Sequence, residues 1–124
     1  EAQCLHLLSN TLICPTGRWI LGAHPEAQSE LALSRMEAGE LKGYVIDRTF
    51  LDSETGLRWV IDYKTSAPLW NEPIDSFIAR EQAHYRDQLR TYAELLGELT
   101  VVKPHQAIKT ALYFPSIKVL STTP

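Results

Sequence analysis

Leu5, Leu8 and Leu12 recur at helical spacing with Leu7 beside them, which predicts a helix from Ala2 to about Ile13. Cys14-Pro15-Thr16-Gly17 follows as a turn signal that ends it. Arg18 to Leu21 is a short apolar piece that fits neither the helical nor the strand period, and Gly22 to Glu26, with Pro25, reads as a loop. From Ser29 to Met36, Leu31, Leu33 and Arg35 share one parity, which predicts a strand, and Glu37 to Glu40 is a turn. Leu41 to Leu51 and Leu57 to Thr65 are rich in β-branched and aromatic residues and predict two more strands. The polar run Asp52 to Gly56 joins them as a hairpin loop, and Ser66 to Ser76, holding Pro68 and Pro73, reads as a long loop. Tyr85, Leu89, Tyr92, Leu96 and Leu99 form one apolar stripe, so the strongest helix is predicted from Phe77 to about Thr100. Pro104 ends that region, and Ala107 to Phe114 and Lys118 to Thr122 read as closing strands parted at Pro115-Ser116.

The order is therefore helix, three strands, helix, two strands. Without an internal repeat or a dividing linker, residues 1–124 read as one domain. The expected architecture is α/β, a mixed β-sheet flanked by helices. A length of 124 residues, 44% hydrophobic and 22% charged, suits such a domain and excludes disordered and low-complexity classes. No apolar run approaches the roughly 18 residues that span a bilayer, and no secretory leader opens the chain. Its start at Glu1, already inside a helical pattern, suggests a domain excised from a longer protein. A net charge of -3 excludes a wholly basic nucleic-acid coat, but not local binding of phosphate. Cys4 and Cys14 form no C-x-x-C, and His6 between them has no zinc spacing. Two reduced thiols in the cytoplasm are the expectation.

The chemistry gathers where acids interrupt apolar strands. Asp47 sits in Tyr44-Val45-Ile46-Asp47-Arg48 and Asp62 in Trp59-Val60-Ile61-Asp62-Tyr63-Lys64. A buried carboxylate needs a cation, a metal or strong donors. Centring the hairpin on Glu54 makes the two acids opposite or diagonal neighbours, about 5 Å apart at Cβ if opposed. Two like charges at that range suit a shared divalent ion. Asp62 and Lys64, two apart, share a face. The bland alternative is a salt-bridged hairpin, Asp47 to Arg48 or Asp62 to Lys64, on a solvated face.

In the long helix Gln88 and Tyr92 share a face and could reach the same site; otherwise Tyr92 is core and Gln88 surface. Arg80, Arg86 and Arg90 offer positive charge, or simply pair with Glu81, Asp87 and Glu94 on a solvated face. Glu30 either points at the acids or is a plain strand-end residue. His24 reads as a surface loop residue, His6, His84 and His105 have no recognisable partners, and Trp70 is a lid residue or loop packing.

Together, Gly43-Tyr44-Val45-Ile46-Asp47-Arg48, Val60-Ile61-Asp62-Tyr63-Lys64-Thr65 and Gln88-Leu89-Arg90-Thr91-Tyr92 resemble the RecB-type nucleases of the PD-(D/E)xK superfamily. The likeness is to the C-terminal nuclease domain of UvrD/Rep-like helicases, the RecB or AddA type of ATP-dependent exonuclease subunit, and runs well from Ser29 to Leu96. It implies a restriction-endonuclease-like core, an exonuclease acting on DNA in end processing and recombinational repair, and a partner subunit. It also implies Asp47, Asp62 and the Tyr63 main-chain carbonyl as ligands of Mg²⁺ or Mn²⁺, and Lys64 as the residue that positions or activates the attacking water. Gln88 and Tyr92 match the family's Q-x-x-x-Y element. ATP is implied only through a helicase portion that these residues do not contain. Such proteins often use an upstream His as a further ligand. The surroundings of His6 do not match that element, so the His-bearing helix is expected upstream of this chain.

Three readings follow: a metal-dependent DNA nuclease domain of a helicase-nuclease, a non-catalytic nuclease-like domain that binds DNA or docks a subunit, or an unrelated α/β protein with a salt-bridged hairpin. Loss of metal binding and cleavage on substitution of Asp62 separates the first from the others.

Overall fold

The computed structural model describes residues 2–99 and 107–123. Its elements are α1 (Ala2–Ile13), α2 (Pro15–Leu21), β1 (Gln28–Glu37), β2 (Glu40–Leu51), β3 (Arg58–Tyr63), α3 (Ile74–Gly97), β4 (Ile108–Phe114) and β5 (Val119–Thr122). The five strands form one sheet in chain order. β1, β2 and β3 are an antiparallel meander; β3 and β4 run parallel, and β5 returns antiparallel to β4. A parallel neighbour needs a long crossover, which α3 supplies. The expected mixed α/β sheet is present. Thr100, Pro104 and His105 lie outside the described residues. Among the described residues no helix is long and apolar enough to cross a membrane.

The ambiguous apolar piece after the first helix is helical. Pro15 occupies the first turn of α2, where a missing N–H costs nothing, so the Pro that read as a stop is a start. Gly17 is required there: a Cβ would lie 2.2 Å from the Thr11 carbonyl oxygen. β3 ends at Tyr63 rather than Thr65, leaving Lys64 just past the strand, and α3 begins at Ile74, directly after Pro73.

Alternation along β3 and β4 builds two cores. Val60, Leu112 and Phe114 meet Phe77, Leu89, Tyr92 and Leu96 of α3 on one face. Ile61, Ala111 and Tyr113 meet Ile20 of α2 and Phe50 on the other. β2 does not keep one parity. Ile46 joins the first core and Phe50 the second, so the alternation slips between them.

The β1–β2 hairpin turns at Ala38-Gly39, both at positive φ. β2 pairs with β3 only from Arg48 to Leu51, whereas it pairs with β1 along nearly its whole length. Leu31–Glu37 and Glu40–Ile46 thus form a two-stranded arm overhanging the sheet. Leu31, Leu33 and Tyr44 pack it against the α3 core, and Arg35 reaches Glu94 at 3.4 Å.

Candidate active site

The slip in β2 coincides with Asp47. Arg48 pairs with Ile61, and the β2–β3 ladder stops there, so one further step brings Asp47 opposite Asp62. In place of the next main-chain bond, the Tyr63 amide donates to Asp47 Oδ2 at 2.8 Å. On the other side of β2, Ser29 pairs with Arg48 and Leu31 with Ile46; Glu30 between them is unpaired and sits at φ 52. The backbone is thus irregular on both flanks of Asp47, and Glu30, exposed, stands across β2 from it.

Asp62 is 4% exposed. Burial, and secondly the neighbouring Asp47 carboxyl, push its pKa up to about 6, against a smaller opposing pull from Lys64. Lys64 Nζ lies 2.8 Å from Asp62 Oδ2, an ion-pair distance without directed hydrogen-bond geometry. The same ammonium sits 3.6 Å from the centroid of the Tyr85 ring. Lys64 is therefore clamped between a carboxylate and an aromatic face. Tyr85 read only as part of an apolar stripe; its place one turn before Gln88 is the signal that puts it on the site side of α3.

Gln88 Nε2 donates to Tyr92 Oη at 2.8 Å. Tyr92 is a core residue, as its spacing allowed, yet its hydroxyl end faces the acids: burial, then the charge on Asp62, raises its pKa. Gln88 is exposed and orients that hydroxyl. Tyr63 turns its side chain to the opposite face, against the α2 core, where burial pushes its pKa up to about 12. Of the two ion pairs the bland reading offered, Asp62–Lys64 forms. Arg48 instead donates to the carbonyls of Ile20 at 2.9 Å and Gly22 at 2.8 Å and to Ser29 Oγ at 3.0 Å. It ties the end of α2 to the residue after Asp47.

Of the helix pairs expected, Arg90 with Asp87 forms, and the rest are replaced. Arg80 bonds Glu72 of the preceding loop, Arg90 approaches Asp87 at 3.8 Å, and Glu94 takes Arg35. Glu81 is buried and accepts from the Ser66 hydroxyl. His24, expected at the surface, stacks on Phe50 beside Trp19. His6 approaches Asn10, and His84 lies edge-on to Tyr85; neither bonds the acids. Cys14 is a buried free thiol; the side chain of Cys4 lies outside the described residues.

Two carboxylates face each other across an opened ladder, and burial, then the neighbouring acid, makes the charged form of Asp62 costly. Asp62 Oδ2 is buried without a hydrogen-bond donor. Such a pair fits a hard divalent cation, which takes oxygen ligands and removes the repulsion. Among the described residues no three His, Cys, Asp or Glu side chains converge, so further ligands would be main-chain, solvent or phosphate oxygens.

A search of curated proteins finds no match to the chain. A family profile does match, over residues 10–121, and it spans both cores, the opposed acids, Lys64 and the Gln88–Tyr92 pair. The chain belongs to the PD-(D/E)XK nuclease superfamily.

Proposed function

We propose that this chain is the metal-dependent exonuclease domain of a RecB- or AddA-type helicase-nuclease, hydrolysing DNA phosphodiesters in end processing and recombinational repair in the cytoplasm. The observation that carries it is the opposed pair Asp47 and Asp62 with the Lys64 ammonium 2.8 Å from one of them. Asp47, Asp62 and the Tyr63 carbonyl would hold Mg²⁺ or Mn²⁺. When bound, the ion supplies a nucleophile at neutral pH and neutralises charge on the phosphate. Lys64 adds a compact positive charge for the phosphate and a donor for the attacking water. Tyr85 keeps that ammonium from swinging out to solvent. Gln88 and Tyr92 steady the carboxylate side and offer donors to the strand. Contacts of this kind address the backbone and not the bases, as expected of a nuclease without sequence preference. ATP hydrolysis and a partner subunit belong to the helicase portion of this proposal.

A second reading, a non-catalytic domain that binds DNA or docks a subunit, is favoured by the lack of three converging ligand side chains among the described residues. It is also favoured by the exposed Leu5, Leu8, Leu12 and Ile13 of α1. Cleavage of end-labelled DNA in Mg²⁺ or Mn²⁺ decides between them. Lys64→Ala should fold as wild type and lose at least ~100-fold in rate. Equal rates for wild type and Lys64→Ala would refute the catalytic reading.

A further inference from the structure

Trp70 is 95% exposed and its neighbour Leu69 67%. An indole usually buries most of its surface, so a side chain left standing in water asks for an occupant. A slack loop would account for it, but this loop is braced. The Glu72 amide donates to the Leu69 carbonyl at 2.9 Å, and the Leu69 amide donates to Glu72 Oε1 at 2.8 Å, closing the turn around Trp70. Asn71 completes it at φ 64. Arg80 of α3 grips the Glu72 carboxylate at 3.0 and 3.2 Å. Upstream, Ser116 Oγ donates to the Ser66 carbonyl at 2.8 Å, and the Ser66 hydroxyl donates to Glu81. The aromatic face is thus presented, not mislaid.

Its place along α3 follows from these braces. Lys64 lies at the level of Tyr85, and Glu72 at the level of Arg80. Five residues of helix separate the two levels by about 7–8 Å. The braced turn and the Lys64 ammonium are therefore anchored along the same stretch of α3.

We propose that Trp70 is a stacking platform for an unpaired base of a single-stranded nucleic acid whose phosphate lies at Asp47, Asp62 and Lys64. This rests on the nuclease reading and adds a substrate form to it. Every base has a π-face, so the contact is indifferent to sequence. In a duplex both faces of each base are covered by neighbours, so the platform favours frayed ends or single strands. The exposed Leu69 beside it extends the apolar surface that a base would cover.

The test compares Trp70→Ala with its parent, both in an Asp62→Asn background so that no strand is cut. The probes are an oligodeoxythymidylate of about 12 nucleotides and a blunt duplex of the same length. Binding is read by anisotropy of the labelled DNA and by the protein's own fluorescence. The parent should bind the single strand with quenching of the exposed indole. Trp70→Ala should melt with its parent, lose the quench and bind the single strand ~5- to 100-fold more weakly, with duplex affinity unchanged and Trp70→Phe restoring most of the loss. Equal single-strand affinity for Trp70→Ala and parent overturns the inference, leaves Trp70 to a protein surface, and leaves the nuclease reading intact. Absence of DNA binding by the parent, together with no cleavage by wild type, overturns both.

Discussion

Asp62→Asn should make the metal-free protein more stable while destroying its chemistry. The carboxyl is lifted from 3.8 to about 6 by burial and by Asp47 beside it. A raised acid binds its proton more tightly in the folded than in the unfolded state. The folded chain therefore holds more protons between about pH 4 and about pH 6, and stability falls as pH rises through that window. Above it, the charged carboxylate costs the fold about 3 kcal/mol. Asparagine has nothing to ionise. At pH 7 in EDTA, Asp62→Asn should gain up to that amount, roughly 10 °C in melting temperature for a domain of this size. It should also flatten the decline of stability from pH 4 to pH 6. The assay is chemical denaturation across pH, wild type beside variant, followed by the same melts in millimolar Mn²⁺, which should raise wild type and not the variant. A variant that is no more stable than wild type at pH 7, with an unchanged pH slope, would show that Asp62 is not the strained group.

Two further substitutions probe the scaffold. Arg48→Lys keeps the charge but loses the fork that reaches the Ile20 and Gly22 carbonyls; denaturation should show a loss of about 2 kcal/mol. Cleavage should fall as well, because the residue beside Asp47 is freed, and intact stability would contradict the bracing role. Gly17→Ala places a methyl 2.2 Å from the Thr11 carbonyl oxygen and 2.9 Å from Tyr113 Oη. It should cost about 3 kcal/mol in a urea melt through forced separation of α1 from α2, and a neutral result would mean that this junction is more open than described.

The acids, the lysine and the long helix were legible because each rests on a short-range rule. β-Branched and aromatic runs identified β2 and β3, loop length made Asp47 and Asp62 opposite or diagonal neighbours, and a step of four put Gln88 against Tyr92. What escaped depended on contacts distant in sequence. Pro15 and Gly17 form a turn signature, and only the close approach of Thr11 shows why a glycine sits inside a helix. Arg48 beside Asp47 invites an ion pair; the slip in β2 sends it to the carbonyls of α2 instead. Tyr85 satisfied the apolar stripe so well that its hold on Lys64 was invisible. Trp70 could not be placed from sequence, since prolines on either side say that a loop is stiff but not what it presents.

The short contact between β2 and β3 has a consequence for how the molecule breathes. A two-stranded ribbon is marginal in water, and among the described residues only Leu31, Leu33, Tyr44 and the Arg35–Glu94 pair hold this one to α3 beyond its root, so the arm should open as a cooperative unit of its own while β3, β4 and α3 stay closed. Amides of Ser34 to Lys42 should exchange with solvent deuterium well before those of Val60 to Asp62. Asp47 lies at the root of that arm and Asp62 in the slow-exchanging centre. The two acids therefore belong to regions of different local stability. An ion shared between them, as proposed, would fasten one to the other, and its binding should register as slowed exchange along the arm, out to its turn at Ala38-Gly39.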